Sequence, residues 1–581
     1  MFSSTGTIEM CTSFRGIFLA TVILVCISKS AAEAQSVQNT YAEGKNGAIA
    51  TGSQQAADMG LQMLKDGGNA VDAAVTTMLV QTVVEADLFC FGSEVPIIVY
   101  DAKRDVVEVI VGLGAAPQLA TAEWFNENRK GVIQGRGDIA NCNVPGTLGA
   151  FITALDRFGS KTFGECAQGM LVVLKERASS DPKELTERMS RRRDFDADGW
   201  IKHHGNFLKM IERLVQAESS AGGDRRTGLQ AVSDYFYRGP IAREIDAWSR
   251  TNGGLLRYSD MARHQTRVES PRKMEFRDHT IYKCDVWTQG PFLHQTLRLI
   301  EDRDLESMEH DSADYIHVVT ESMKLAFADR DAFYGDPAFN DVPIDALMSD
   351  GYTEMRRGLI DMKAASQAQQ PGDPVHMKPL LGVAPQDHKV FSGHSNDTSN
   401  CLVADQWGNV VAATPSGWGG VPAGDTGVQL GSRMIGLVTW QDHPGMLEPG
   451  KLPRITLTPT LVFKNGKPVF AVSVAGGDQQ DQASIQILLN RLVFGLDTDN
   501  SVKTARFGTE HHINWFGHLP FKPGTLILPR DTSPGIVTEL AGRGHKTSLG
   551  RPASAAVVLS IDPATGKMEA AAERGKIGVA Y

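Results

Sequence analysis

Along the chain the spacing of apolar residues changes several times, and each change marks a predicted element. Gln54 to Lys65 carries Ala57, Leu61 and Leu64 on one helical face, and Gly67-Gly68 stops it. Ala70 to Val84 is small-sided and nearly all apolar, which predicts a helix buried inside the body. Ala48-Ile49-Ala50-Thr51 predicts a short strand ahead of these helices. Val95 to Tyr100 and Val106 to Val111 are β-rich runs flanking Asp101-Ala102-Lys103-Arg104-Asp105, a hairpin pattern. Residues from about 150 to 330 read as mainly helical. Within them Ser179 to Gly223 is the most charged stretch and is expected to be a surface excursion. Pro371 to His394, rich in Pro, Gly and polar residues, predicts an exposed loop.

From Thr398 onward the pattern turns to strands. Cys401 to Ala404 and Val410 to Thr414 flank the turn-forming Asp405-Gln406-Trp407-Gly408-Asn409. A hairpin centred near residues 407–408 lays Thr398 against the Thr414–Gly417 region, bringing the Thr414, Ser416 and Ser399 hydroxyls near it. Leu457 to Phe463, Val469 to Val474 and Ala555 to Ser560 are further predicted strands, with a helix from about Gln482 to Phe494 between them.

Composition changes this picture mainly at the N-terminus. Arg15, the apolar run Gly16 to Ile27 and the small-residue exit Ala32-Glu33-Ala34 describe an export signal over residues 1–34. The run is shorter than the ~20 residues of a comfortable membrane span. A secreted or periplasmic protein without stable membrane insertion is therefore expected. A net charge of −10 without a Lys/Arg stripe argues against nucleic-acid binding. Arg191-Arg192-Arg193 is answered by Asp194, Asp196 and Asp198 and reads as a solvated segment. Cys90, Cys142, Cys166, Cys284 and Cys401 lack the spacing of a disulfide framework or zinc site, although one or two bridges stay open.

Common catalytic signatures are absent: there is no G-x-S-x-G, P-loop or H-E-x-x-H, and Gly112-Leu113-Gly114 lacks the third glycine of a dinucleotide loop. His203-His204 and His511-His512 are adjacent rather than spaced for helical metal ligation, so no metal and no cofactor is expected. What remains is Asp397-Thr398 at the entry to a strand, and Ala475-Gly476-Gly477-Asp478 at the end of another. Paired glycines at a strand end can present backbone N–H groups to an oxyanion.

These motifs, together with Gly67-Gly68-Asn69-Ala70-Val71-Asp72-Ala73-Ala74, Val144-Pro145-Gly146-Thr147, Asp329-Arg330-Asp331 with Tyr334-Gly335-Asp336-Pro337, Val403 to Val410 and Pro459-Thr460, resemble the gamma-glutamyltransferase (glutathione hydrolase) family in register from about residue 47 to Tyr581. The resemblance implies an α+β fold, the αββα four-layer sandwich of N-terminal-nucleophile (Ntn) hydrolases. It also implies self-cleavage between Asp397 and Thr398 into a 35–397 and a 398–581 subunit. Thr398 would be the nucleophile and its new α-amine the base, Ser416 the orienting hydroxyl, and Gly476 and Gly477 the oxyanion donors. A threonine hydroxyl needs such a base near neutral pH.

Substrate recognition departs from the family pattern. Leu113 stands where the family has the arginine for the glutamyl carboxylate, and Ile435 where it has the aspartate for the amine. Ile455 and Thr456 replace a serine pair, Trp418 an asparagine, and Asn400 a histidine. Trp418, Arg433, Thr456 and Asp478 are the candidate substrate-binding residues, with Arg433 for a carboxylate and Asp478 or Glu94 for an amine. The expected activity is an Ntn amidohydrolase or acyltransferase acting on a small amide or peptide whose acyl group need not be γ-glutamyl. A true glutathione hydrolase with relocated grips, and a non-catalytic periplasmic binding protein on the same fold, are the alternatives.

Overall fold

A computed structural model describes residues 39–133, 135, 137–189, 195–379, 398–417, 420–515 and 522–581. The predicted export signal, Arg191 to Arg193, Asp397 and Trp418 lie outside the described residues. Residues Thr40–Tyr581 form one unit built on two seven-stranded sheets, each with only antiparallel pairs. The first runs Ile577–Ala580, Gly47–Thr51, Cys401–Asp405, Val410–Ala413, Val95–Asp101, Val106–Gly112, Arg267–Glu269. The second runs Tyr41–Gly44, Met568–Ala572, Ala555–Ile561, Lys467–Ala475, Thr460–Lys464, His279–Lys283, Arg272–Phe276. Strands from before and after residue 397 thus share both sheets.

Alternation along the strands builds four layers. In the first sheet, Ala48, Ala50, Ile98, Tyr100, Leu402, Ala404 and Ala412 point one way. They meet Leu461, Phe463, Ala471, Val557 and Leu559 of the second sheet in an apolar inter-sheet core. The opposite faces, carrying Ile49, Ile97, Val403 and Val411 on one sheet and Val462, Phe470, Val472 and Val558 on the other, are each covered by helices. The fold is the αββα sandwich.

The buried Ala70–Val84 helix, predicted from its nearly all-apolar sequence, lies on the first sheet. Its start is fixed by a capping box between Asn69 and Asp72. Asp405 Oδ2 accepts the Ala70 N–H at 2.8 Å, and Asp405 Oδ1 accepts from Trp407 and Asn409 at 2.9 and 3.0 Å. One carboxylate therefore ties the hairpin turn to the helix N-terminus. Gly408, at φ +87°, supplies the left-handed residue that the turn requires.

Three expectations are corrected. Within the supposedly helical 150–330 stretch, Arg267–Glu269, Arg272–Phe276 and His279–Lys283 are strands that extend one edge of each sheet. The charged 179–223 stretch is not an excursion throughout. Its Ala197–Ser220 helix buries Phe207, Met210, Ile211 and Leu214, an i, i+3, i+4, i+7 stripe hidden among charges. Replacing Phe207, which packs edge-on to Phe91 at 5.5 Å, by Ala is expected to cost about 3 kcal/mol. Urea unfolding would show it, and a loss under ~0.5 kcal/mol would restore the surface reading. Finally, part of the loop from Pro371 forms a small ladder, Gly372–Asp373 with Lys378–Pro379, while 380–394 lies outside the described residues. All five described cysteines are buried free thiols. No helix among the described residues is long and apolar enough to cross a membrane.

Candidate active site

Thr398 enters the middle of the first sheet. It forms an antiparallel bridge with Ser416, as the hairpin centre requires, and is 4% exposed. The other two hydroxyls expected beside it are engaged elsewhere. Ser399 donates to Glu85 at 2.8 Å and accepts from Gln81 at 2.8 Å, and Thr414 pairs with Ser473 at 3.0 Å. Asn400, at the family's histidine position, donates to Ser473 at 3.1 Å.

Ser416 is held from both sides. Its backbone exchanges hydrogen bonds with Glu94, and its Oγ accepts from Arg433 Nη2 at 2.8 Å. Arg433 Nε donates to Glu94 Oε1 at 2.6 Å, and all three residues are fully or almost fully buried. Arg433, the expected carboxylate grip, is therefore ion-paired with Glu94, one of the two candidates for the amine.

Across from this pair, the Lys467–Ala475 strand turns at Gly476 and Gly477 into the Gln479–Leu492 helix. Gly476 has φ +140° and Gly477 φ +58°, and a Cβ on Gly476 would lie 2.2 Å from the Ala553 oxygen, so only glycine fits there. Their carbonyls accept from Gln479 and Gln480 N–H, which makes the turn continuous with the helix N-terminus and its positive dipole end. The Gln480 amide is best satisfied with its nitrogen donating to Thr456 O at 2.9 Å and Val474 O at 3.2 Å. Its oxygen then faces Thr398 Oγ1 at 3.4 Å. Thr456 Oγ1 is buried without a hydrogen-bond partner among the described residues.

Asp478 also turns inward. Its carboxylate takes Arg330 Nη1 at 2.5 Å and the Trp515 N–H at 3.1 Å. Burial raises its pKa, but Arg330 outweighs that and keeps the carboxyl below its usual range. Arg330 uses its five donors on Asp331 twice, Gln289, Asp478 and the Ile513 carbonyl. Arg330 and Arg454 both lie over the Trp515 ring, each 4.3 Å from its centroid. Burial lowers Arg454 to about 9. The Asp329-Arg330-Asp331 motif was visible in sequence, but nothing local there pointed to the turn at Asp478. Leu113 and Ile435 are both buried, 3% and 1% exposed.

One grouping of metal-ligand side chains occurs among the described residues, His317, Glu321 and His545. His317 Nδ1 and His545 Nε2 are 2.8 Å apart, and Lys324 Nζ sits 2.5 Å from Glu321 Oε1. That ammonium supplies the cation which Glu321 needs, and a dication would leave the buried cluster with excess positive charge. The adjacent histidine pairs are structural: His204 bonds the Trp200 carbonyl, and His511 bonds the Ala368 carbonyl and the Gly524 N–H.

Comparison with known proteins agrees with this architecture. The chain is 26% identical to a glutathione hydrolase proenzyme of Bacillus subtilis (strain 168), covering 94% of each chain. It is 28% identical to an acylase ACY 1 proenzyme of Pseudomonas sp. (strain SE83), covering 87% of this chain and 88% of that one. The solved structure of LmbA2991T421A superposes with a TM-score of 0.82 at 29% identity, covering 93% of this chain and 99% of that one. The family model for gamma-glutamyltranspeptidase matches residues 56–581. Matched over nearly its whole length, the chain belongs to the gamma-glutamyltranspeptidase family of hydrolases and transferases.

Proposed function

We propose that this chain is a proenzyme that cleaves itself between Asp397 and Thr398, giving 35–397 and 398–581 subunits, and then hydrolyses or transfers a small acyl group through an ester on Thr398. The observation that carries this reading is the position of Thr398. It stands buried at a strand start, bridged to Ser416 and facing the Gly476–Gly477 turn through Gln480. In the proposed mechanism the Thr398 amine, created by cleavage, accepts the hydroxyl proton as Oγ1 attacks the amide carbonyl. It returns that proton to the leaving amine. Ser416, fixed by Arg433, orients Thr398. The Gly476 and Gly477 N–H groups receive the oxyanion, where one donor is typically worth ~10²–10³ in rate.

The ion pairs favour an acyl group without the zwitterionic glutamyl head. Arg433 is engaged by Glu94 and Ser416, and Asp478 by Arg330, so in this reading both support the site rather than grip substrate. Thr456, whose hydroxyl is unmet among the described residues, is the proposed hydrogen-bonding contact to the acyl chain. Both acylase and glutathione hydrolase proenzymes are among the relatives, so the family accommodates either specificity. Parallel kcat/KM values on a γ-glutamyl anilide and on acyl anilides lacking the α-amine test the choice. The acyl anilides without the amine are expected to be the better substrates by at least about tenfold, because a missing charged contact typically costs 2–5 kcal/mol. A preference for the γ-glutamyl compound would instead establish relocated glutamate grips. Export of the mature chain, consistent with the predicted signal, is part of the same proposal.

A further inference from the structure

On the second sheet's side of the molecule, a cleft of about 730 Å³ shares none of its lining with the Thr398 site. It is enclosed by the ends of the Thr498–Lys503 helix and the Thr525–Pro529 strand, and by the loops on either side of the Ala555–Ile561 and Met568–Ala572 hairpin. Five cationic side chains line it, Lys503, Arg506, Arg530, Arg551 and Arg574, against two acids, Asp531 and Glu573.

The acids do not balance the cations. Glu573 is buried, and its Oε1 alone takes both Arg506 and Arg551, the latter at 2.9 Å, while its Oε2 accepts the Ala556 N–H at 2.8 Å. Arg506 is 6% exposed, and its Nε is buried with no hydrogen-bond partner among the described residues, although Nη1 donates to the Val502 carbonyl at 2.9 Å. Lys503 pairs with Asp499 one helical turn away. Arg530 and Arg574 are exposed at the rim and make no ion pair among the described residues, and neither does the exposed Asp531.

A concave surface with one sign of charge focuses its field on a counter-ion. Guanidinium forks match the paired oxygens of phosphate-like anions better than a point charge does. The volume lies in the range that small ligands occupy. We propose that this cleft binds a small multivalent oxyanion of the phosphate class, held above the buried Arg506–Glu573 pair by the exposed Arg551, Arg530 and Arg574.

Inorganic pyrophosphate titrated into the full mature protein by calorimetry tests this, at near-physiological ionic strength, where the Debye length is about 8 Å and diffuse attraction is screened. Saturable binding of one equivalent per chain is expected, with a rise in melting temperature. Because Arg530 and Arg574 are exposed, the Arg530→Ala/Arg574→Ala variant should keep the unliganded melting temperature. It should bind pyrophosphate at least about tenfold more weakly, since two charge-assisted bonds are removed. Citrate, a polycarboxylate of similar charge, should bind more weakly than pyrophosphate. The proposal is overturned by the absence of saturable binding, by undiminished binding in the variant, or by citrate binding as tightly as pyrophosphate.

Discussion

A Thr398→Ala chain is expected to remain uncut and to lose turnover by at least about 10⁴-fold, the scale on which removing a catalytic nucleophile acts. The substitution removes only the hydroxyl and one methyl. The backbone bridge to Ser416 and the Ser399 N–H bond to the Pro415 carbonyl stay, so far-UV circular dichroism should match the parent. Thr398→Ser keeps the hydroxyl and should still cleave, more slowly. The proposed base also separates two pH profiles. Turnover uses the Thr398 amine, whose ordinary pKa is about 7.7–8.0, and should rise as pH climbs through that value because only the free amine accepts a proton. Self-cleavage precedes the existence of that amine, which is still a peptide nitrogen, so its rate should not follow the same curve. Gel electrophoresis and intact mass report both. A Thr398→Ala chain cut at the 397–398 bond would remove Thr398 from the chemistry.

The fold was most legible where one residue pattern had one solution. The Ala70–Val84 helix, nearly all apolar with small side chains, was legible as interior. The Asp405–Asn409 turn set a hairpin that, by counting, lays Thr398 against the Thr414–Gly417 region, where its bridge partner is Ser416. The Ala197–Ser220 helix was hidden because its four-residue buried stripe is diluted by charge on the other faces. The strands from Arg267 to Lys283 were hidden because they are short and charged, and because Arg267–Glu269 and His279–Lys283 join their sheets through partners more than a hundred residues away, only the pairing of Arg272–Phe276 with His279–Lys283 being local. In the site, residue types were legible but their partners were not. Nothing local in Glu94 or Arg433 announces an ion pair across 339 positions, and Asp478 meets Arg330 across 148. Alone, each looked like a charge available to substrate.

That hidden pairing carries the second large effect. Arg433→Met should destabilise the protein by about 3–5 kcal/mol, because it removes the guanidinium that ion-pairs with the fully buried Glu94 carboxylate. The Glu94→Gln/Arg433→Met double variant removes both charges. It should recover a substantial part of that loss, since a buried ion pair is worth far less against a neutral pair than against a lone charge. Activity should not recover with it, because in both variants Ser416 Oγ has lost its Arg433 donor and can no longer be held against Thr398. Arg433→Lys, which keeps the charge without the fork that reaches Glu94 and Ser416 together, should stand between the parent and Arg433→Met in both measurements. Urea midpoints and single-turnover acylation rates on the same preparations separate the two roles. If stability and acylation return together in the double variant, Arg433 serves the fold alone; if Arg433→Met is as stable as the parent, the pair is not the buried contact described here.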